Sequence, residues 1–205
     1  IVNKKYLFIN KRAIDFAAYN GDLNILSYLY ENNMIFCTTK AIDFAAENGN
    51  LECIIFLHEK NLAICTKSAM NNAAKNGDID IVKWFHNNRN EGCTTDAMDN
   101  AAKNGHIDIV KWLHKNRNEG CTVDAMNNAA KNGYINIVKW LHENRIEGCT
   151  TDAIDNASKD GHLIVIKYLL KERKEGFTGR AILNSFSKGY NTLSKFLYDN
   201  KKFQI

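Results

Sequence analysis

The chain has 205 residues, of which 24% are charged and 45% hydrophobic, and its formal net charge is +4. No apolar run approaches the ~20 residues that a transmembrane helix needs. The composition therefore predicts no membrane span, and the small net charge disfavours a nucleic-acid binder, which would show a strongly basic face.

A repeat of 28 residues fills most of the chain. The segment Cys93–Gly120 matches both the preceding segment, Cys65–Gly92, and the following one, Cys121–Gly148, at 22 of 28 positions. One glycine recurs every 28 residues, at Gly21, Gly49, Gly77, Gly105, Gly133, Gly161 and Gly189. Self-similarity at a fixed period of this length is typical of a solenoid. We therefore predict a single all-α array of stacked units.

The array begins part-way through a repeat. Residues 1–8 align with the tail of a second helix, so we expect the chain to be part of something longer. Six repeats follow, at 9–36, 37–64, 65–92, 93–120, 121–148 and 149–176. The segment 177–205 is a degenerate last repeat that carries a charge excess of +4, equal to that of the whole chain. Atypical terminal repeats are expected where one face lacks a neighbour.

Each repeat predicts two short helices. Thr94 can cap the first helix, whose apolar side includes Ala97 and Met98 at helical spacing. Gly105 ends that helix, because glycine accepts the left-handed conformation at a helix C-terminus. The second helix is predicted from about Ile107 to Asn116. Helices of this length are unstable alone, so the copies must stack.

The stretch from Ala101 to Leu113, AAKNGHIDIVKWL, resembles the A-A-x-x-G-H-x-x-I-V-x-x-L run of ankyrin repeats. The resemblance implies an ankyrin-like helix–turn–helix solenoid. Two features depart from the family: T-P-L-H is replaced by Asp96-Ala97-Met98-Asp99, and the period is 28 rather than 33. The missing residues imply shortened or absent β-hairpin fingers. The short variant looks like the arrays of giant amoeba-infecting viruses and of some protists.

The first two repeats carry aromatic residues on the polar side of the first helix. Phe16 and Phe44 take the place of Asn100, Tyr19 takes the place of Lys103, and Phe36 lies in the following loop. One interpretation is packing against upstream repeats or a different loop. The other is an apolar binding surface, since exposed contiguous apolar patches mark partner sites.

The pattern of cysteines and histidines predicts packing roles, and it does not indicate disulfides, a metal site or a catalytic site. Five cysteines recur once per repeat, and apolar Ile9 and Phe177 fill the same column at the ends. Stacked helices lie ~8–10 Å apart, too far for disulfides between successive repeats. We therefore expect buried thiols in a reducing, intracellular setting. The histidine column is filled by Leu170 in one repeat, so it does not predict a metal site. We expect no cofactor and no catalytic site.

An aromatic column runs through Trp84, Trp112 and Trp140, beside a column of lysines. Aromatic and basic residues together can bind single-stranded nucleic acid. Nearby aspartates offset the lysines, however, and repeats 93–120, 121–148 and 149–176 are each neutral. We therefore favour a seam between adjacent helices.

The favoured function is a non-enzymatic scaffold that binds a partner protein through the inner face of its first helices. Candidate contacts there are Asp96, Asp99, Asn100 and Lys103, with the equivalent Asp124, Asn128 and Lys131, and an apolar anchor of Phe16, Tyr19, Phe36 and Phe44. We expect an intracellular, cytoplasmic location, in a host cell or a virion if the chain is viral. The alternatives are a structural component of an assembly such as a virion, which involves self-association, and a nucleic-acid-associated protein.

Overall fold

The computed structural model describes the backbone of residues 4–201 and the side chains of residues 12–201. Fourteen helices lie between residues 4 and 201. They are α1 (Lys4–Asn20), α2 (Leu23–Glu31), α3 (Lys40–Glu47), α4 (Leu51–Glu59), α5 (Lys67–Asn76), α6 (Ile79–Asn88), α7 (Asp96–Lys103), α8 (Ile107–Asn116), α9 (Val123–Lys131), α10 (Ile135–Asn144), α11 (Asp152–Lys159), α12 (Leu163–Glu172), α13 (Gly179–Ser187) and α14 (Asn191–Asn200). The prediction of an all-α fold of helix pairs is confirmed, and α8 has the predicted bounds.

The helices form two compact units, residues 1–97 and 98–205, with the boundary inside α7. In the first unit the helices pair as α1 with α2, α3 with α4 and α5 with α6, and α3 packs between α1 and α5. In the second unit the pairs are α9 with α10, α11 with α12 and α13 with α14, and α11 packs between α9 and α13. The organisation of all repeats as one array stays a prediction.

Small residues on the first helix of each repeat and branched residues on the second make the core. Ala129 and Ala130 of α9 are fully buried, and Val138 and Leu141 of α10 are at most 1% exposed. Alanine leaves room for the neighbouring first helices to approach closely, while the larger side chains of the second helices fill the space between pairs. The core therefore repeats with the sequence period.

The helix boundaries follow from the predicted cap residues. The Thr122 hydroxyl accepts a hydrogen bond from the Asp124 N–H at 3.1 Å, which caps α9. Every glycine of the 28-residue series has a positive φ, as in Gly105 at +87°. The left-handed residue lets the chain leave α7, and the His106 N–H then bonds back to the Ala101 carbonyl at 2.9 Å.

The loops between repeats are short and of two kinds. After α2 and α4, Asn33 and Asn61 adopt positive φ angles of 56° and 51°. After α6, the chain leaves through extended Arg89 and turns at Gly92, with φ +72°. No loop within residues 4–201 contains a β-strand. This confirms the prediction of shortened or absent β-hairpin fingers for these residues. A different loop in the first two repeats was one part of the first interpretation of their aromatic residues.

The start of the chain differs from the repeat alignment. Residues 4–8, expected to be the tail of a second helix, belong to the same helix as residues 9–20. The other repeats turn before the capping threonine at a left-handed glycine, as at Gly92, or at a left-handed asparagine, as at Asn33, whereas the equivalent residues here are Phe8 and Lys5. Neither phenylalanine nor lysine readily takes the left-handed conformation, so α1 continues. Residues 1–3 lie outside the described residues.

Candidate functional site: the first-helix face

Phe16 and Phe44 line one open pocket in the first unit. The pocket has a volume of about 410 Å³ and also includes residues of the α2–α3 loop. Phe16 is 56% exposed, and Phe44 is half-buried. The two phenylalanines lie 28 residues apart at the same place on α1 and α3, and these helices pack together. The repeat therefore places two aromatic rings on one surface.

The other predicted aromatic residues differ in their relation to this pocket. The Tyr19 and Phe44 rings pack edge to face with centroids 5.9 Å apart, so Tyr19 extends the aromatic surface along α1. Phe36 is 43% exposed but does not line the pocket. The structure brings Phe16, Tyr19 and Phe44 together, and it leaves Phe36 apart.

The charged residues around the pocket differ in how far they are exposed to solvent. Asp15 is only 6% exposed, and its carboxylate accepts the Thr38 N–H at 3.0 Å and the Thr38 hydroxyl at 2.8 Å. Arg12 and Lys40 also line the pocket and are exposed, with the Lys40 ammonium 6.0 Å from the centre of the Phe44 ring. The pocket therefore combines apolar walls with exposed positive charge.

Asp99 does not lie on an open polar face, and that expectation was wrong. It is 8% exposed, and its carboxylate accepts the N–H and the hydroxyl of Thr122 in the next repeat, each at 2.8 Å. Two donors from the following repeat hold it between repeats. Asp99 is therefore a structural contact, and it is not available to a partner.

The same contact recurs along the chain, and we call the series the Asp/Asn–Thr ladder. In each case an Asp or Asn accepts from the backbone N–H of a threonine 23 residues later, and the members are Asp15–Thr38, Asp43–Thr66, Asn71–Thr94, Asp99–Thr122, Asn127–Thr150 and Asp155–Thr178. The threonine was predicted only as a helix cap. The joint occurrence of Asp or Asn in one column and Thr in the other could have indicated this contact.

The remaining predicted polar positions are more accessible. Asp96, Lys103, Asp124 and Lys131 are exposed, while Asn100 and Asn128 are half-buried. The neighbouring turn residue Asn132 donates its side-chain N–H to the Lys103 carbonyl at 2.6 Å. That bond fixes the backbone at the end of α7 relative to α9, and it leaves the Lys103 ammonium outside.

The aromatic column forms a seam between second helices, as expected. The His58 and Trp84 rings meet edge to face at 5.2 Å, and the His114 and Trp140 rings do so at 5.1 Å. The three tryptophans are half-buried. The contacts hold Trp84 and Trp140 in the packing between repeats and do not leave them free to stack on successive bases, which disfavours nucleic-acid binding.

The cysteine column lies against ion pairs of the loops. All six cysteines are free thiols, and each except half-buried Cys37 is buried. Arg89 pairs with Glu91 near Cys65, and this hydrogen bond lowers the pKa of Glu91. Burial raises the pKa of Cys65 to about 12 and those of Cys121 and Cys149 to about 11. The protonated thiols are poor nucleophiles and metal ligands.

These raised pKa values predict a loss of stability at alkaline pH. The folded protein holds the thiol protons more tightly than the unfolded chain, in which the cysteine pKa is near 9.0. The free energy of unfolding is thus unaffected by these groups below about pH 9 and falls as the pH rises through about 9 to 12. Urea unfolding at pH 8 and pH 10 measures this. A Cys65→Ala/Cys121→Ala/Cys149→Ala variant should lose less stability over that interval; an equal loss contradicts the assignment.

Among the described residues, no group of three or more His, Cys, Asp or Glu side chains is placed to hold a metal ion. No described helix is both long enough and apolar enough to span a membrane.

Comparison with known families identifies the repeat. The family described as "Ankyrin repeats (3 copies)" matches residues 42–127, 70–155 and 98–181, and "Ankyrin repeats (many copies)" matches residues 14–58. A search of curated proteins finds no match. Ankyrin repeats are in general protein-binding scaffolds and are typically non-enzymatic. With matches that together run from residue 14 to residue 181, the chain belongs to the ankyrin-repeat family.

Proposed function

We propose that this chain recognises a partner protein through the face of its first helices, with Phe16 and Phe44 as the apolar anchor. The observation that carries the proposal is the open pocket of about 410 Å³ between these rings. Exposed aromatic side chains that surround a pocket commonly dominate the energy of an interface. Phe16 is 56% exposed beside this pocket, so more than half of its apolar surface is open to a partner.

The charges of the pocket favour a particular partner chemistry. The Asp15 carboxylate is engaged with Thr38, whereas the cations of Arg12 and Lys40 face solvent. A partner segment that places an apolar side chain between the two rings and an Asp or Glu beside it satisfies both features. Complementary charge at the rim of an interface raises the association rate and adds specificity.

Polar positions on the first helices of later repeats supply further contacts. The exposed Asp96 and Lys103 on α7, and Asp124 and Lys131 on α9, are suited to hydrogen bonds and ion pairs with a partner. Half-buried Asn100 and Asn128 accompany them. These contacts lie at exposed positions, where each contributes little affinity, so we assign them to specificity.

The free cysteines and the resemblance to viral ankyrin arrays support a cellular location for this function. Free, buried cysteines with raised pKa values suit a reducing cytoplasm, where no disulfide is required. The resemblance to arrays of giant amoeba-infecting viruses favours a host protein as the partner. The chain then acts in the cytoplasm of the host cell or within the virion.

A displayed library of short random peptides tests the pocket. Selection on the full chain should enrich peptides in which an apolar residue stands next to Asp or Glu. The affinity of an enriched peptide should fall about tenfold or more, equivalent to about 1.4 kcal/mol, for Phe16→Ala and Phe44→Ala. Arg12→Glu should also weaken binding, and the loss of affinity should be greater at low salt than at high salt.

The control variant is Tyr198→Ala, which removes another exposed ring far along the sequence, on α14. It should bind the enriched peptides as the unchanged chain does. Peptides that lack the acidic residue, or that bind the Phe16 and Phe44 variants undiminished, would refute the proposed pocket.

A further inference from the structure

Histidine in the second helix and arginine in a later loop occur together in the sequence. Four repeats have a histidine at the same point of the second helix, and each has an arginine 31 residues later. The pairs are His58–Arg89, His86–Arg117, His114–Arg145 and His142–Arg173. Where Tyr30 and Leu170 occupy the histidine position, the later residue is Asn61 or Lys201. The joint occurrence indicates that the two side chains meet.

Each of the two compact units contains such a contact. In the first unit, Nη1 of Arg89 lies 3.2 Å from Nδ1 of His58. In the second unit, Nη1 of Arg145 lies 3.4 Å from Nδ1 of His114. A guanidinium group only donates hydrogen bonds, so the imidazole nitrogen is the acceptor. Both bonds therefore need a histidine whose Nδ1 carries no proton.

A carboxylate holds each of these arginines in place. Nε of Arg89 donates to Glu91 at 3.2 Å, and Nη2 of Arg89 bonds to the same carboxylate. Arg145 and Glu147 pair in the same way. The guanidinium cannot turn away from the histidine without breaking this ion pair. We call the two groups the His–Arg–Glu clusters: His58, Arg89 and Glu91 form the first, and His114, Arg145 and Glu147 form the second.

The histidine rings of the clusters are also packed between second helices. His58 meets the Trp84 ring edge to face at 5.2 Å, and His114 meets the Trp140 ring at 5.1 Å. Both histidines are half-buried. Each ring therefore joins its own helix to the next second helix and to the loop that follows it.

We propose that the two His–Arg–Glu clusters are an acid-sensitive contact between successive repeats, which weakens when His58 and His114 gain a proton. A protonated imidazole has two N–H donors and no acceptor, so the bond from arginine is lost. The proton also places a second positive charge against the guanidinium. Histidine is the side chain that changes its charge between about pH 5 and pH 8. The clusters therefore stabilise the fold at neutral pH, and this contribution is lost as the pH falls.

The charges around His58 favour this response. Glu91 already bonds to two nitrogens of Arg89, so its charge is balanced before a second cation forms. The hydrogen bond from Arg89 lowers the pKa of Glu91, which therefore stays ionised in mild acid. Burial raises the pKa of nearby Cys65 to about 12, so this thiol is uncharged. Lys60, on the same helix as His58, places its ammonium 5.1 Å from the centre of the Tyr30 ring.

The surroundings of His114 are similar. Glu147 is bonded to Arg145, and burial raises the pKa of Cys121 beside this pair to about 11. The neighbouring Lys115, on the same helix as His114, is a further exposed cation. A proton on His114 therefore adds to positive charge that is not balanced locally.

His142 provides an internal control within the same series. Its Nδ1 is buried and finds no hydrogen-bond partner in the part of the chain that the structure describes. Arg173 donates to Glu175, and the His142 ring packs on Tyr168 at 5.9 Å. The pKa of Glu172 is lowered mainly by Lys171 and to a smaller extent by His142, so a carboxylate lies near this histidine. A proton on His142 breaks no bond from arginine, and we expect no acid-induced loss there.

Urea unfolding of the full chain at pH 7.5, 6.5 and 5.5 tests the proposal. This window lies above the usual range of carboxyl titration and below that of thiols. The variant His58→Leu/His114→Leu introduces the residue that the series itself contains at Leu170. His142→Leu makes the same change outside the clusters. Each variant is compared with itself across pH, so a different stability at pH 7.5 does not affect the result.

We expect the urea midpoint of the unchanged chain to fall by about 0.5 M or more between pH 7.5 and pH 5.5. The double variant should show less than half of this fall, and His142→Leu should show all of it. Circular dichroism at pH 7.5 verifies folding; if the double variant does not fold, His58→Leu and His114→Leu alone should each reduce the fall. An unchanged chain without the fall, cluster variants that keep it, or its disappearance in His142→Leu would overturn the proposal. The outcome is independent of peptide binding, because the clusters use second helices and loops.

Discussion

Replacing Asp155 with alanine is expected to lower the free energy of unfolding by about 2–4 kcal/mol. The Asp155 side chain is fully buried and accepts the Thr178 N–H at 2.9 Å and the Thr178 hydroxyl at 2.6 Å. Hydrogen bonds to a charged group contribute about 1.5–3 kcal/mol each, and their loss leaves the partner donors unsatisfied. Urea unfolding, followed by the shift of the midpoint, measures the effect.

The matched control is Asp155→Asn, for which we expect a loss of about 1 kcal/mol or less. Asn71 and Asn127 occupy the same place in other repeats and accept the threonine N–H at 3.0 and 2.9 Å. Their amide groups also donate to the threonine hydroxyl, as from Asn71 to Thr94 at 2.8 Å. An asparagine variant as unstable as the alanine variant would show that the ladder does not stabilise the stack as described.

Replacing Gly133 with alanine is expected to cost about 2–5 kcal/mol, from two separable causes. Its φ of +77° lies in the left-handed region, where a side chain costs about 1–2 kcal/mol. The added Cβ would also lie 2.6 Å from Nδ1 and 2.7 Å from Cε1 of His162, so the ring must move. Overpacking of this kind typically costs about 1–3 kcal/mol.

Gly189→Ala separates the two causes. Gly189 has the same φ of +77°, but a Cβ added there would meet no atom within 4 Å beyond its two chain neighbours, so only the backbone cost of about 1–2 kcal/mol remains. The thermal midpoints of the two variants should therefore differ, with Gly133→Ala the lower. Equal destabilisation would mean that the His162 ring can move away from the added Cβ without loss of stability, so that its contact with the turn does not stabilise the fold.

Much of the fold could be predicted from the repeat. Thr94 caps the start of a helix and left-handed Gly105 ends it. Both depend only on neighbouring residues, so these helix ends can be predicted from the local sequence. Asp99 could not be placed in this way, because its partner Thr122 lies 23 residues later and only stacking brings them together. Within one helix Asp99 is on the polar side, and the threonine of the next repeat covers it.

The sequence allowed the aromatic residues of the candidate site to be predicted, but not the shape of the pocket that they line. The period placed Phe16 and Phe44 on equivalent positions of successive first helices, which is enough to expect adjacent rings. The cavity between them depends on the α2–α3 loop, whose path through left-handed Asn33 the pattern did not give. For the same reason Phe36 was grouped with Phe16 and Phe44 as an apolar anchor, although it does not line the pocket.

Hydrogen–deuterium exchange of the full chain, with and without an enriched peptide, tests the central claim of recognition at the first-helix face most directly. We expect added protection at residues 12–19 and 38–44, which carry the pocket, and no change there for the Phe16→Ala/Phe44→Ala variant. Protection confined instead to residues 183–198 would contradict recognition at the first-helix face, because it would place the peptide on α13 and α14 and not at the pocket.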